Sequence, residues 1–248
     1  MHKRIAHITD IHLGDKTATD RGADPKKNFK AVLENVALDK IDDIIITGDL
    51  GDKESLPWLF KKLEDYKPGF KVISGNHDLF DDVVKYYKNT RPVTNGELYY
   101  TQEDNVYKYI FMDSSSGSVS KQQLKWLEGE ALTLKKIIVF IHHPVLGLET
   151  GIDKIYPLKN RDKVNAVLQE AKNPVTIFCG HYHMPDKRAD GKITQYITPS
   201  TAFQVKKNSQ TIEINTQSFA YRIIDLTESG IKTSLVTNFY DYFAKKTG

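Results

Sequence analysis

Six of the eight histidines in this 248-residue chain stand directly after short apolar runs: His12, His77, His142, His143, His181 and His183. Acidic and amide residues keep them company. Asp10 and His12 follow a run ending at Thr9, and Gly48, Asp49 and Asp52 follow one ending at Thr47. Gly75-Asn76-His77-Asp78, His142-His143 and Gly180-His181-Tyr182-His183 close the other three. Imidazole, carboxylate and amide donors without a thiolate suit Mn, Fe, Co or Zn, and the number of imidazoles disfavours Mg alone. Asp10, His12, Asp49, Asn76, His142, His181 and His183 are more donors than one ion with an open position would use. Two divalent ions sharing a carboxylate are therefore expected. Asp49, preceded by a glycine that permits close backbone approach, is the candidate bridge.

The elements that must carry these groups are short. Residues 5–9, 44–47, 70–73, 137–141 and 175–179 are rich in Ile, Val or Phe and read as buried strands. Ligands of open α/β sheets bind beyond the carboxyl ends of the strands, so the five polar clusters converge on one place. Helical patterns lie between the strands. Asp24 caps a helix beginning at Pro25 with Phe29, Val32, Leu33, Val36 and Ala37 on one face. Ser120 and Gln123 form a capping-box pair ahead of Leu124, Leu127 and Ala131, and Asn160 opens a helix with Val164, Val167, Leu168 and Ala171 inward. The serine-rich residues 114–118 read as a mobile loop. After residue 185 strands and turns take over: residues 192–197 follow the Asp190-Gly191 turn, and 219–226 pair with 231–237 across Glu228-Ser229-Gly230. The aromatic residues Phe239, Tyr240, Tyr242 and Phe243 are expected to pack as an edge or cover. The expectation is an α/β chain forming one domain over 1–248, with a metal-binding core over 1–184 and a β-rich part over 185–248 that completes the second of two packed sheets.

Composition narrows the partners. The 35 basic and 32 acidic residues leave a formal charge of +3 and are interspersed, which gives little support to a nucleic-acid binder. The single cysteine, Cys179, excludes an internal disulfide and a cysteine-rich zinc pattern. No run approaches the roughly 18 apolar residues of a membrane span, so no membrane partner is expected. Met1-His2-Lys3-Arg4 leads into a strand-like segment without a secretory apolar region, which makes the cytoplasm the expected location. An edge strand near the C-terminus could mediate a homodimer.

Taken together, Asp10-Ile-His12, Gly48-Asp49-Leu-Gly-Asp52, Gly75-Asn76-His77-Asp78, His142 and Gly180-His181-Tyr-His183 resemble, in order, the five signatures of the calcineurin-like metallophosphoesterases. The resemblance implies a four-layer α/β/β/α sandwich of two mixed sheets with a two-metal site at the strand ends. It implies one metal on Asp10, His12, Asp49 and His183, the other on Asp49, Asn76, His142 and His181, and a phosphate contacted by His12, Asp49, Asn76, His77 and His183. Departures disfavour some branches. Asp52 stands where purple acid phosphatases carry tyrosine, Asp52-Lys53-Glu54 and Asp78 depart from the serine/threonine phosphatases, and no basic groove points to a nuclease. The turn at His142-His143-Pro144, the segment with Leu124, Trp126 and Leu127, and Thr198-Pro199-Ser200-Thr201-Ala202-Phe203-Gln204 are most similar to the bacterial class III 3′,5′-cyclic nucleotide phosphodiesterases.

The expected activity is hydrolysis of a small phosphodiester, a cyclic nucleotide such as cAMP or cGMP, to its 5′-monophosphate by metal-bound hydroxide between ions about 4 Å apart. No protein nucleophile is required. The serines at 114 to 116 lack the strand-to-helix elbow of a nucleophilic serine, and Cys179 sits inside a strand. His77, beside a ligand but not needed as one, would stabilise charge or protonate the leaving oxygen, with Asp78 orienting its ring. Asp52 reads as an acceptor behind the ligands or as a helix cap, and His143 as a support behind them. The alternatives are another phosphodiester or pyrophosphate, such as a glycerophosphodiester or a nucleotide-sugar lipid with Tyr86, Tyr87, Tyr99 and Tyr100 lining a groove, and a metal-free scaffold.

Overall fold

The computed structural model describes residues 2–66, 69–88, 96–207, 209 and 211–239. Tyr240, Tyr242 and Phe243, expected in a C-terminal cover, lie outside the described residues, as does the Phe239 side chain. The first half contains β1 (His2–Ile8), α1 (Lys16–Asp20), α2 (Pro25–Leu38), β2 (Asp43–Thr47), α3 (Leu56–Glu64), β3 (Gly69–Ile73), α4 (Phe80–Tyr86), β4 (Tyr100–Glu103) and β5 (Tyr107–Phe111). There follow α5 (Lys121–Ala131), β6 (Lys136–Phe140), α6 (Gly151–Ile155), α7 (Arg161–Gln169) and β7 (Val175–Cys179). The remainder is β8 (Asp186–Asp190), β9 (Ile193–Ile197), β10 (Gln204–Val205), β11 (Ile214–Asn215), β12 (Ser218–Thr227) and β13 (Ile231–Phe239).

Two mixed sheets result, ordered β13-β12-β1-β2-β3 and β4-β5-β6-β7-β9-β8. Strands β1, β2 and β3 are mutually parallel, as are β5, β6, β7 and β9. The strand period of two sorts the side chains into layers. Ile5, Ile45, Ile138, Phe140 and Phe178 point into a core between the sheets, while Ala6, Ile8, Ile44 and Ile46 join the core beneath α2 and α3. On the far side Ile137, Val139 and Ile177 pack with Leu127 of α5 and with Val164 and Leu168 of α7. The result is the expected helix, sheet, sheet, helix layering.

The β-rich end does not simply complete the second sheet: β8 and β9 extend that sheet, while β12 and β13 extend the first through nine paired positions along β12. β12 then pairs antiparallel with β1, which puts β12 and β13 on the opposite sheet from β9. Three strands had little local signal. β8 is Asp-Lys-Arg-Ala-Asp with four exposed residues, the charged composition of a protected edge, and β4 is a short polar edge. β5 mixes Lys108 with aromatics, Tyr107, Tyr109 and Phe111, that face the inter-sheet core.

Two helix starts behave differently from their sequence reading. Ser120 accepts from Gln123 N–H at 3.1 Å, but the Gln123 side chain, fully buried, binds the backbone of Asp113 at both ends and does not close a capping box. Asn160 precedes α7 without capping it and pairs instead with the N–H and C=O of Val119. Asp24 does cap α2, accepting from Lys27 N–H at 2.9 Å.

Candidate metal centre

The C-terminal ends of β1, β2 and β3 in one sheet and of β6 and β7 in the other meet at a single polar cluster. Pairing continues past the strand ends: Asp10 N–H donates to Gly48 C=O at 3.0 Å, His12 N–H to Asp49 C=O at 2.9 Å, and Gly180 N–H to His142 C=O at 3.0 Å. The chain then reverses in left-handed backbone. Among the described residues six non-glycine positions have positive φ, and five of them are Asp10, His12, Asp49, His181 and His183. At about 1–3 kcal/mol each, this strain is concentrated on the donors themselves. The adjoining glycines are sterically required, because a Cβ at Gly180 would collide with Thr9 and Asp10, and one at Gly75 with the Asp49 carboxylate.

Ligand atoms of Asp10, His12, Asp49 and His183 all lie within 4.8 Å of one another, and so do those of Asp49, His142 and His181. Asp49 belongs to both sets, its Oδ2 being 3.6 Å from His12 Nε2 and 3.4 Å from His142 Nε2. Asn76 joins the second set, with Oδ1 3.1 Å from His142 Nε2. Each of the four imidazoles spends its other nitrogen on an acceptor. His142 Nδ1 meets Thr47 C=O at 2.7 Å, His183 Nδ1 meets Phe203 C=O at 3.2 Å, and His181 Nε2 meets Tyr156 C=O at 3.0 Å. His12 Nδ1 meets the Asp15 carboxylate at 3.3 Å.

These acceptors fix the tautomers, since a carbonyl or carboxylate can only receive a hydrogen. The consequence is that His12 Nε2 and His183 Nε2 face each other at 3.1 Å with lone pairs inward. That pair is arranged to share a cation, either a proton or a metal ion. The donor set, its burial and its anchored outer nitrogens thus fit a pair of divalent ions.

Comparison with known proteins places this geometry. A family model described as calcineurin-like phosphoesterase matches residues 3–185. The chain belongs to the calcineurin-like phosphoesterase family. It is 31% identical over 237 residues to a protein of Fibrobacter succinogenes named as a probable cyclic nucleotide phosphodiesterase, covering 94% of this chain and 93% of the relative. It is 27% identical to the 3′,5′-cyclic adenosine monophosphate phosphodiesterase CpdA of Haemophilus influenzae, with 92% and 86% of the two chains covered. A dimetal phosphatase from Danio rerio shares the fold with a TM-score of 0.68 at 13% identity, covering 96% of this chain and 99% of that one. The chain is accordingly a phosphoesterase by family.

Within this calcineurin-like site the charges are mutually dependent. Burial would raise the Asp10 and Asp49 carboxyls, but the imidazoles of His183 and His142 hold them below the usual carboxylate range. Burial would likewise lower His142, but Asp49 and Asp10 outweigh it and push it up to about 10. His181 goes down to about 3, through burial and then the neighbouring His142 charge.

The structure corrects several supporting roles. Asp78 does not orient His77. Its two oxygens accept from Leu50 N–H at 2.9 Å and Gly75 N–H at 2.8 Å, locking the loops after β2 and β3 together. The His77 backbone N–H instead donates to Asp49 Oδ1 at 2.9 Å, and its ring stands 5.2 Å from that of His12. Asp52 is exposed and accepts from Ser55 N–H at 2.9 Å in the turn ahead of α3, whose N-cap position is held by Ser55. His143 is buried against the rings of His142 and His181 and bonds Ser114 Oγ at 2.9 Å, so Ser114 is a buried brace. The segment from Thr198 to Gln204 largely faces inward: Ser200 Oγ donates to Asp10 C=O at 2.8 Å, and only Phe203 of it lines the cavity over the cluster.

Asp15 is the group that sequence reasoning missed. Its signal was its place three residues after His12, within reach of that ring, but the same residue also reads as the cap of α1, a role it fills through Thr17 N–H at 2.7 Å. Among the described residues, no helix is long and apolar enough to cross a membrane.

Proposed function

We propose that the protein hydrolyses 3′,5′-cyclic nucleotides to 5′-monophosphates at this cluster, with Asp10, His12, Asp49 and His183 holding one divalent ion and Asp49, Asn76, His142 and His181 the other. The observation that carries the reading is Asp49, a single buried carboxylate common to two donor sets at the floor of one open cavity of about 370 Å³. The donors, without a thiolate, suit Mn, Fe or Zn. When bound, such ions activate water and offset the charge that develops on the phosphoryl oxygens.

The chain's own residues supply position and a proton. His12, Asp49, Asn76, His77 and His183 all line the cavity, so a phosphodiester seated there meets them together. His77 is exposed, lines the cavity and has its backbone N–H tied to Asp49, which supports a role for its ring beside a phosphate seated there. From there it donates a proton to the 3′ oxygen as the P–O3′ bond breaks, while the oxygen of water bonds to phosphorus and the proton that this water gives up passes to solvent. Asn76 turns its carbonyl oxygen to His142, leaving its amide hydrogens for a phosphoryl oxygen.

The test is product formation from 3′,5′-cyclic AMP by Mn-loaded protein, with bis-p-nitrophenyl phosphate in parallel and Asp49→Asn as control. The expected result is 5′-AMP that is lost in the variant together with both ions. Cleavage of the artificial diester without 5′-AMP would overturn the substrate assignment, and Asp49→Asn protein that keeps two tightly bound ions would overturn the bridge.

A further inference from the structure

One wall of the cavity takes no part in the chemistry just described. It is built from Ile152 and Tyr156 at α6, Phe203 and Val205 at β10, and Ile212 and Ile214 at β11, and it rises beside His12, His181 and His183. These segments lie up to 62 residues apart in sequence, from Ile152 to Ile214, and are brought together by the fold. Ile212 and Ile214 are only partly buried although they pack on the core beneath the second sheet.

The wall is held in register with the cluster. Tyr156 C=O is the acceptor for His181, and its ring lies 6.5 Å from the His181 ring while the residue remains 53% exposed. Tyr182, between the two ligand histidines, donates its hydroxyl to Asp153 within α6, and Asp153 also accepts from Arg161 at 2.7 Å. Phe203 C=O is the acceptor for His183, with its ring 4.4 Å from that imidazole. The backbone atoms that orient two ligands thus also place the aromatic wall.

Charge narrows what the wall can take. Among the described residues no lysine or arginine lines this cavity, so a second phosphate of a pyrophosphate would find no cationic side chain among them. Its one acid outside the ligand set, Asp15, is engaged by His12. A polar glycerol arm would meet hydrocarbon. A flat, uncharged aromatic ring gains most, because such surfaces stack on Tyr and pack on aliphatic side chains.

Resting on the phosphodiesterase reading above, we infer that the wall formed by Ile152, Tyr156, Phe203, Val205, Ile212 and Ile214 is a nucleobase subsite, which makes the substrate a base-bearing phosphodiester. The base lies against the wall and the phosphate over the metal cluster.

Binding separates this from the chemistry. The Mn-loaded protein is titrated calorimetrically with 5′-AMP and with ribose 5-phosphate, which shares the sugar phosphate and lacks the base. The expected result is 5′-AMP binding tighter by roughly ten- to a hundredfold, the usual worth of a stacked base. In Ile212→Ser/Ile214→Ser that ratio should fall toward unity with bound metal per protein as in the unaltered chain. Tyr156→Ala, at a half-exposed ring whose carbonyl is retained, should lower the ratio as well and serves if the double variant does not fold. Equal affinity for the two ligands in the unaltered protein, or a ratio that survives Tyr156→Ala and the double variant, would overturn the subsite. Failure to turn over cyclic AMP with the binding ratio intact would overturn the proposed reaction and leave the subsite standing.

Discussion

The four imidazoles of the cluster are oriented by three backbone carbonyls and one side chain, and that side chain, Asp15, is the one a substitution can remove. Asp15→Asn keeps the size of the residue and its capacity to cap α1, where Asp15 Oδ1 receives Thr17 N–H at 2.7 Å. What it removes is the negative acceptor 3.3 Å from His12 Nδ1. The native carboxyl stays ionised, held below the usual carboxylate range first by its hydrogen bond with His12. A hydrogen bond with a charged partner contributes about 1.5–3 kcal/mol net. Loss of such a partner behind a ligating histidine costs roughly ten- to a hundredfold in metal affinity, which is about 1.4–2.7 kcal/mol. The two scales agree, so Asp15→Asn should bind one Mn equivalent some ten- to a hundredfold more weakly in competition with a chelator, while the second equivalent changes less. Both ions held as tightly as in the unaltered protein would refute the claim that Asp15 orients His12. Equal weakening of both would refute its assignment to the first set alone.

Three further outcomes follow from the geometry. His77→Ala should retain both ions while turnover drops about a hundredfold or more, as expected for loss of a proton donor, and steady-state rates at full metal occupancy decide it. In the metal-free protein His142 is pushed up to about 10 and is protonated at pH 8, so metal entry should release at least about one proton there and affinity should rise with pH up to that value; calorimetry in two buffers of different ionisation enthalpy that detects no release would contradict it. Asp78→Ala leaves the buried amides of Leu50 and Gly75 without their acceptor, at roughly 1–3 kcal/mol each, and should lower the urea midpoint by a corresponding amount without altering the His77 ring's access to substrate.

The residues that meet in the candidate cluster were legible because each follows a short apolar run, and strand ends are local features set by composition and by glycines that let the chain turn sharply. The α/β class, the hairpin of β12 and β13, and the cap at Asp24 were legible for the same reason. Less was readable where a residue's partner is distant. Asp78 and His77 are neighbours in sequence, and adjacency suggested a hydrogen bond between them, yet the Asp78 carboxylate reaches the backbone of Leu50, 28 residues away. Gln123 and Asn160 carry cap-forming side chains that tertiary neighbours claim instead.

By itself, then, the sequence determined which atoms could hold metal, that they stand at strand ends, and the family to which that order of motifs belongs. The fold decided how those atoms are aimed. The carbonyls of Thr47, Tyr156 and Phe203 set the histidine tautomers, and a carbonyl has no side-chain signature to read. It also decided that β12 and β13 pair with the first sheet, because edge pairing depends on which hydrogen-bonding edge is open once β1 is in place. The apolar wall beside the Asp and His cluster, assembled from α6, β10 and β11, exists only when those segments pack together, since burial is a property of neighbours and not of residue type.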